Sequence, residues 1–197
     1  MHKDHPEAIS QLSKGHAYDM STNIFERLPQ IFYDNIPDET HDYIRILGRE
    51  NNERVYKFVR RDYVNQVVNL DKFKIFIPKA NGVGSFGEVI SSPIVGNPGD
   101  GSTETFLSIG IFDTNYEVET TLKYIKTKFA RAMLGILKTT QDITPDKWKY
   151  VPLQDFTSSS DIDWSQSIAN IDKQLYKKYN LSDEEINVIE TNVKEME

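Results

Sequence analysis

Three glycines stand at the spacing of a phosphate-binding turn, in Gly82-Val-Gly84-Ser-Phe-Gly87-Glu-Val89. The pattern meets both the dinucleotide fingerprint and the glycine-rich loop of protein kinases, where close-approaching backbone amides hold phosphate oxygens. Each chemistry needs more than glycines. A dinucleotide turn must open a helix whose N-terminus faces the pyrophosphate, yet here Ile90-Ser-Ser-Pro-Ile-Val-Gly-Asn-Pro follows, with two prolines and no helical period. A kinase needs a lysine on the next strand and the H-R-D and D-F-G motifs. No lysine or arginine stands between Lys79 and Lys123, both motifs are absent, and Gln154-Asp-Phe-Thr only grazes the second. The expectation is a turn that lets backbone come close to a ligand, or simply reverses.

Other reactive groupings are equally incomplete. His2, His5, His16 and His41 all lie in the acidic first 44 residues, without the i, i+4 spacing of a zinc helix or a triad pattern. No Asp or Glu has lysine two positions on, as the common metal-dependent nuclease site requires. Acidic pairs such as Asp161 and Asp163 read as solvated loop residues. With no cysteine in the chain, disulfides and thiolate metal sites are excluded. A non-catalytic chain without a cofactor or metal is expected.

The elements that must carry any recognition surface are legible. Tyr43-Ile-Arg-Ile-Leu-Gly and Arg54-Val-Tyr-Lys-Phe-Val-Arg alternate like the arms of a hairpin, and Asn51-Asn52 tolerate the positive φ of its turn. Lys74-Ile-Phe-Ile-Pro and Thr103 to Phe112 read as strands, separated by a loop from Ala80 to Ser102. One long helix is predicted from about Glu117 to Lys138, with Leu122, Ile125, Phe129, Met133 and Ile136 as its buried stripe. Lys123, Thr127, Arg131 and Lys138 then share the other side, as a solvated face or a rail for phosphates. Beyond a Ser-rich joint at 157–160, two helices follow, one from about Ser165 to Tyr179 and one capped by Ser182 with Glu185. These features divide the chain into a helical and loop lead-in (1–40), a central domain (41–157) and a helical tail (158–197).

Hydrophobic content of 38% with 11% aromatic suits a folded core. No apolar run approaches the roughly 20 residues of a membrane span, and the first residues lack the apolar core of a signal peptide. A cytoplasmic protein without a membrane partner is expected. The net charge of -7 hides a segregation: residues 45–79 and 120–150 each carry +5, between acidic blocks of -5, -6 and -6. Two basic blocks on elements that meet would make a basic surface.

Several segments, in order, resemble a known family: Tyr43-Ile-Arg-Ile-Leu-Gly-Arg, Glu53-Arg-Val-Tyr, Arg60-Arg-Asp-Tyr, Lys74-Ile-Phe-Ile-Pro-Lys-Ala-Asn-Gly and Glu104-Thr-Phe-Leu-Ser-Ile-Gly. Leu122-Lys-Tyr-Ile-Lys-Thr-Lys-Phe-Ala-Arg, Trp148-Lys-Tyr-Val-Pro-Leu-Gln-Asp-Phe and Ile171-Asp-Lys-Gln-Leu-Tyr-Lys-Lys-Tyr-Asn-Leu-Ser continue the series. From about Thr22 onward the chain is similar to the C-terminal target-recognition region of bacterial restriction-modification proteins that carry an adenine-specific DNA methyltransferase.

The resemblance implies an α/β (α+β) target-recognition domain, with a mixed twisted sheet, one long packed helix and C-terminal helices. It also implies two partners: double-stranded DNA, and an adenine methyltransferase catalytic domain in the same chain or another. Such a domain reads base edges while a separate domain flips and methylates adenine. The methyltransferase hallmarks Asn/Asp-Pro-Pro-Tyr/Phe and Phe-x-Gly-x-Gly are absent, Asn97-Pro-Gly being the nearest approach. Recognition therefore carries over and methylation does not; the chain is expected to be a piece of a longer protein or a stand-alone remnant. Candidate phosphate contacts are Arg54, Lys57, Arg60, Arg61, Lys72, Lys74, Lys123, Arg131 and Lys138. Lys79, Asn81 and Gln141 are candidates for base edges. The competing expectation is a module that docks a methyltransferase or restriction partner and barely touches DNA alone.

Overall fold

The computed structural model describes residues 1–12 and 19–196; His16 lies outside them. Its strands are β1 (Tyr43–Glu50), β2 (Glu53–Arg60), β3 (Phe73–Pro78), β4 (Ile94–Gly96), β5 (Asp100–Ser102) and β6 (Phe106–Phe112). Its helices are α1 (Ala8–Gln11), α2 (Ile24–Arg27), α3 (Asn115–Lys126), α4 (Lys128–Gly135), α5 (Ile168–Lys178) and α6 (Asp183–Asn192). The class is α+β, as expected, but the strands form two three-stranded sheets, ordered β2-β1-β5 and β4-β3-β6, rather than one. Among the described residues no helix is long and apolar enough to cross a membrane.

The chain divides into two compact units. The first comprises Met1–Phe76 and Gly96–Ile111. Its hairpin runs in register from Tyr43 opposite Arg60 to Glu50 opposite Glu53, and Asn51 and Asn52 take φ of 50° and 65°. This is the left-handed pair that a two-residue hairpin turn demands. On its other edge β1 pairs in parallel with β5, Arg45 standing opposite Asp100. The core gathers Ile24, Phe25 and Leu28 at α2, then Ile31 and Phe32, against Ile44, Ile46, Val59 and Leu70. Arg45 reaches the buried Asp100 carboxylate through two 2.8 Å hydrogen bonds and lies over the Tyr56 ring.

The second unit comprises Ile77–Val95 and Phe112–Glu197. Thr114 and Glu117 cap α3 reciprocally, as Ser182 and Glu185 cap α6. The long helix predicted over 117–138 is two helices. Thr127 breaks it with φ -60° and ψ 150°, donating to the Tyr124 carbonyl at 2.6 Å while accepting from Ala130 N at 3.1 Å. A threonine hydroxyl can serve as a cap inside an otherwise helical run. The break resets the 100° phase of the residues beyond it. Thr127, Arg131 and Lys138, expected on an outer face, are therefore buried, and Ile136, expected inside, is half exposed. Around the joint, Phe129 stacks on Tyr179, and Tyr124, Phe156 and Trp164 form an aromatic cluster.

Candidate recognition platform

Gly82, Gly84 and Gly87 all take positive φ, so the glycine motif does fold as a tight turn. Its amides are already used. The Glu88 carboxylate accepts from Val83 N at 3.0 Å and from Gly84 N at 3.3 Å, and pairs with the ammonium of Lys138. The place a nucleotide phosphate would take is filled by the chain's own anion. Burial pushes the Glu88 carboxyl up, but Lys138 and the two amides outweigh it and hold the group below its ordinary value.

Lys138 also donates to the carbonyls of Asn81 (2.8 Å) and Thr140 (3.1 Å). The Asn81 side chain donates to Val89 O and accepts from Ser91 N, pinning the base of the loop. At Gly84 a Cβ would stand 2.6 Å from backbone atoms of Thr139 and Thr140. The glycine turn thus presses directly against the segment that follows α4.

That second segment is joined to the first by an antiparallel bridge between Ala80 and Asp142. Asn81 N donates to Gln141 O at 3.0 Å, and Ile143 N to Lys79 O at 2.7 Å. The result is a platform of two braced loops with short or apolar side chains outward: Val83 (80% exposed), Phe86 (41%), Ser85, Thr139 and Thr140. Lys79 and Gln141, both exposed, flank the bridge. Two of the three base-edge candidates are thereby brought together. The third, Asn81, is 2% exposed and holds the loop instead.

Several phosphate candidates need the same correction. Lys74 is 1% exposed, its ammonium donating to the carbonyls of Leu70, Asn97 and Asp100. Arg131 is 2% exposed and Lys138 3% exposed, both spent on internal carbonyls. Lys123 is half-buried and donates to Trp164 O at 2.9 Å. Lys74, Arg131 and Lys138, committed below the surface, cannot track a DNA backbone, whereas Lys123 keeps part of its side chain at the surface. The remaining candidates lie in the first unit, half-buried at its surface. Lys57 pairs with Asp34 and Glu50, Arg60 with Asp62 and Asp4, and Arg61 with Asp71 and Asp42. Arg54 lies over the Phe106 ring, and Lys72 stands just before β3.

Among the described residues the histidines and acidic pairs form no reactive array. Thr40 and Asp38 both meet the same ring nitrogen of His41, Nδ1, whereas a triad uses the two ring nitrogens for different partners. Asp161 pairs with Lys178, and Asp163 closes a turn onto Ser165. Among the described residues no group of three or more His, Asp or Glu is placed to hold a metal ion. Sequence reasoning missed Glu88 and Asp172, the carboxylates that organise the second unit. Their only signal was an acidic residue inside the glycine motif and one on the apolar side of a helix. No family model, curated protein or solved structure matches the chain.

Proposed function

We propose that this chain is a DNA target-recognition module of a restriction-modification system, working in the cytoplasm and delivering specificity to an adenine methyltransferase that it does not itself contain. The observation that carries this reading is the braced platform. Its loops are held from beneath by Glu88, Lys138 and Asn81, while Lys79 and Gln141 stand exposed on either side of one bridge. Rigid backbone with short side chains suits the close approach that reading base edges requires. Lysine matches the O6 and N7 acceptors of guanine, and glutamine the N6 and N7 edge of adenine. The filled anion position under the glycine turn favours recognition over nucleotide chemistry. The resemblance of its ordered segments to methyltransferase target-recognition regions favours the same reading. Phosphate attraction then falls to the basic residues of the hairpin unit, which would exchange acidic partners for phosphates on binding.

The test is the affinity of the whole chain for a panel of labelled duplexes at several salt concentrations. Log affinity should fall linearly with log salt, and one sequence should stand out from the rest. If no duplex binds at low salt while a methyltransferase domain does, the chain is a docking module and the DNA reading is wrong.

A further inference from the structure

The underside of the glycine turn is covered by the residues that follow α6. Lys194 N donates to Gly87 O at 3.1 Å, and Ile90 N meets the Met196 sulfur at 3.4 Å. Between them Val193 is buried. Gly87 has no room for anything larger: a Cβ there would stand 2.7 Å from Asn192 O and from Val193 Cα. One side chain ties these backbones together. The Arg131 guanidinium donates through Nη1 to Gly87 O (3.4 Å), through Nη2 to Lys194 O, and through Nε to Lys126 O (3.2 Å). The helix that delivers the strap is anchored in turn, Glu190 accepting from Tyr176 at 2.9 Å and Lys128 at 2.6 Å.

We propose that the Val193–Met196 strap sets how sharply the platform discriminates between DNA sequences, with Arg131 the positioning residue that ties strap to loop. The proposal rests on the DNA-recognition reading, and assigns to Arg131 a role opposite to that of a phosphate contact. Glu88 fixes the turn from inside, but Gly87 begins its exit, and among the described residues the strap and Arg131 are what hold the Gly87 carbonyl. Freed of them, the turn keeps its attractive groups and loses its fixed geometry. Affinity for the right sequence should fall toward that for any sequence.

Three variants of the whole chain test this: Arg131→Met, Arg131→Lys, and Lys194→Pro, which removes the donor to Gly87 while leaving every residue of the helices in place. Hydrogen exchange at the 82–88 amides should quicken roughly tenfold or more in Arg131→Met and Lys194→Pro, with α5 amides unchanged. Arg131→Lys, which keeps a donor, should fall between them and the wild type. The ratio of affinities for the preferred and a scrambled duplex should drop about tenfold, while the slope of log affinity on log salt stays the same. A slope reduced by about one with the ratio preserved would mark Arg131 as a phosphate contact and overturn the proposal. Unchanged exchange at 82–88 in folded variants overturns it too. If Arg131→Met does not fold, Lys194→Pro carries the exchange and ratio outcomes with Arg131 present, and a preserved ratio there overturns the proposal. If the wild type binds no duplex, the DNA reading has failed, and the strap's hold on the loop is judged by exchange alone.

Discussion

The carboxylate of Asp172 in α5 closes the first turn of α4, its Oδ1 accepting from Phe129 N at 2.9 Å and its Oδ2 from Lys128 N at 3.0 Å. The first amides of a helix have no partner within it, and an acidic group there also meets the positive end of the helix dipole. Asp172 does from another helix what a capping residue does locally, so one side chain fixes α5 to the break at Thr127. It is 2% exposed. Burial pushes its carboxyl up to about 6 in spite of the two amides, with Glu190 adding to the rise and Arg131 opposing it.

The first prediction follows from that shift. The folded-state value lies above the ordinary 3.8, so the native protein holds this proton more tightly than the unfolded chain. The group's contribution is fully present below pH 3.8 and is lost as pH rises through about 6. Relative to Asp172→Asn, which cannot ionise, the wild type should lose on the order of 3 kcal/mol between about pH 4 and pH 7. Urea unfolding of both proteins across that range checks it. Parallel pH profiles would mean that Asp172 titrates normally.

Lys74 supplies the second. Its ammonium satisfies three carbonyls in the first unit, and burial draws its value down to about 8, against the pull of Asp100 and Asp71. Lys74→Met preserves bulk but leaves those carbonyls without a donor, so stability should fall by about 3 kcal/mol or more at pH 7. A base whose folded value is depressed contributes stability above its unfolded value and loses it as pH falls through the folded one. The wild type should therefore gain on the variant as pH rises from 8 to about 10, and thermal melts across that window would reveal it. An equal loss at every pH would show that Lys74 ionises as in the unfolded chain.

These two groups mark what could be read from residue order and what could not. The hairpin was legible because alternation and the Asn51-Asn52 pair state their conformation locally, and the capping box at Ser182 and Glu185 likewise. The helix break at Thr127 was not, since threonine fits mid-helix and at a cap alike, and only Ala130 N and Tyr124 O decide between them. Strands β4 and β5 were hidden in a stretch rich in Gly, Pro and Asn. Their pairing depends on distant partners: Asp100 stands beside Arg45, 55 residues away in the chain. The basic candidates failed for a related reason. Composition shows a charge but not its burial, and Lys74, Arg131 and Lys138 are held by backbone carbonyls that no side-chain pattern records.

Glu88 and Lys138 make the third prediction. Lys138 is 3% exposed, and its partner is the anion that organises the glycine turn. Removing one member of a buried pair strands the other charge, so Lys138→Met should cost roughly 3–5 kcal/mol. Glu88→Gln alone should cost less, because an amide oxygen can still accept from Val83 or Gly84. The double variant should recover much of the Lys138→Met loss, a coupling of on the order of 2 kcal/mol in a double-mutant cycle. Simple additivity would show that the two side chains do not depend on each other.

The last prediction separates the platform from the hairpin. Lys79 and Gln141 are exposed, and the bridge beside them runs through backbone atoms only. Lys79→Ala and Gln141→Ala should therefore change stability by no more than about 0.5 kcal/mol. If these side chains read bases, each loss should fall on one position of the target. Every single-base-pair change at that position would bind the variant about as well as the preferred base does, erasing about 1–3 kcal/mol of discrimination there and leaving other positions intact. Arg60→Ala and Arg61→Ala should behave differently. Their guanidiniums already sit in ion pairs, so any effect should be modest, equal across sequences, and visible mainly as a shallower salt slope. Affinities for a complete panel of single-base-pair substitutions, measured with all four variants at two salt concentrations, distinguish the cases. A uniform loss from Lys79→Ala and Gln141→Ala would move those residues to the DNA backbone and leave the reading of bases to Val83, Ser85 and Phe86 on the same platform.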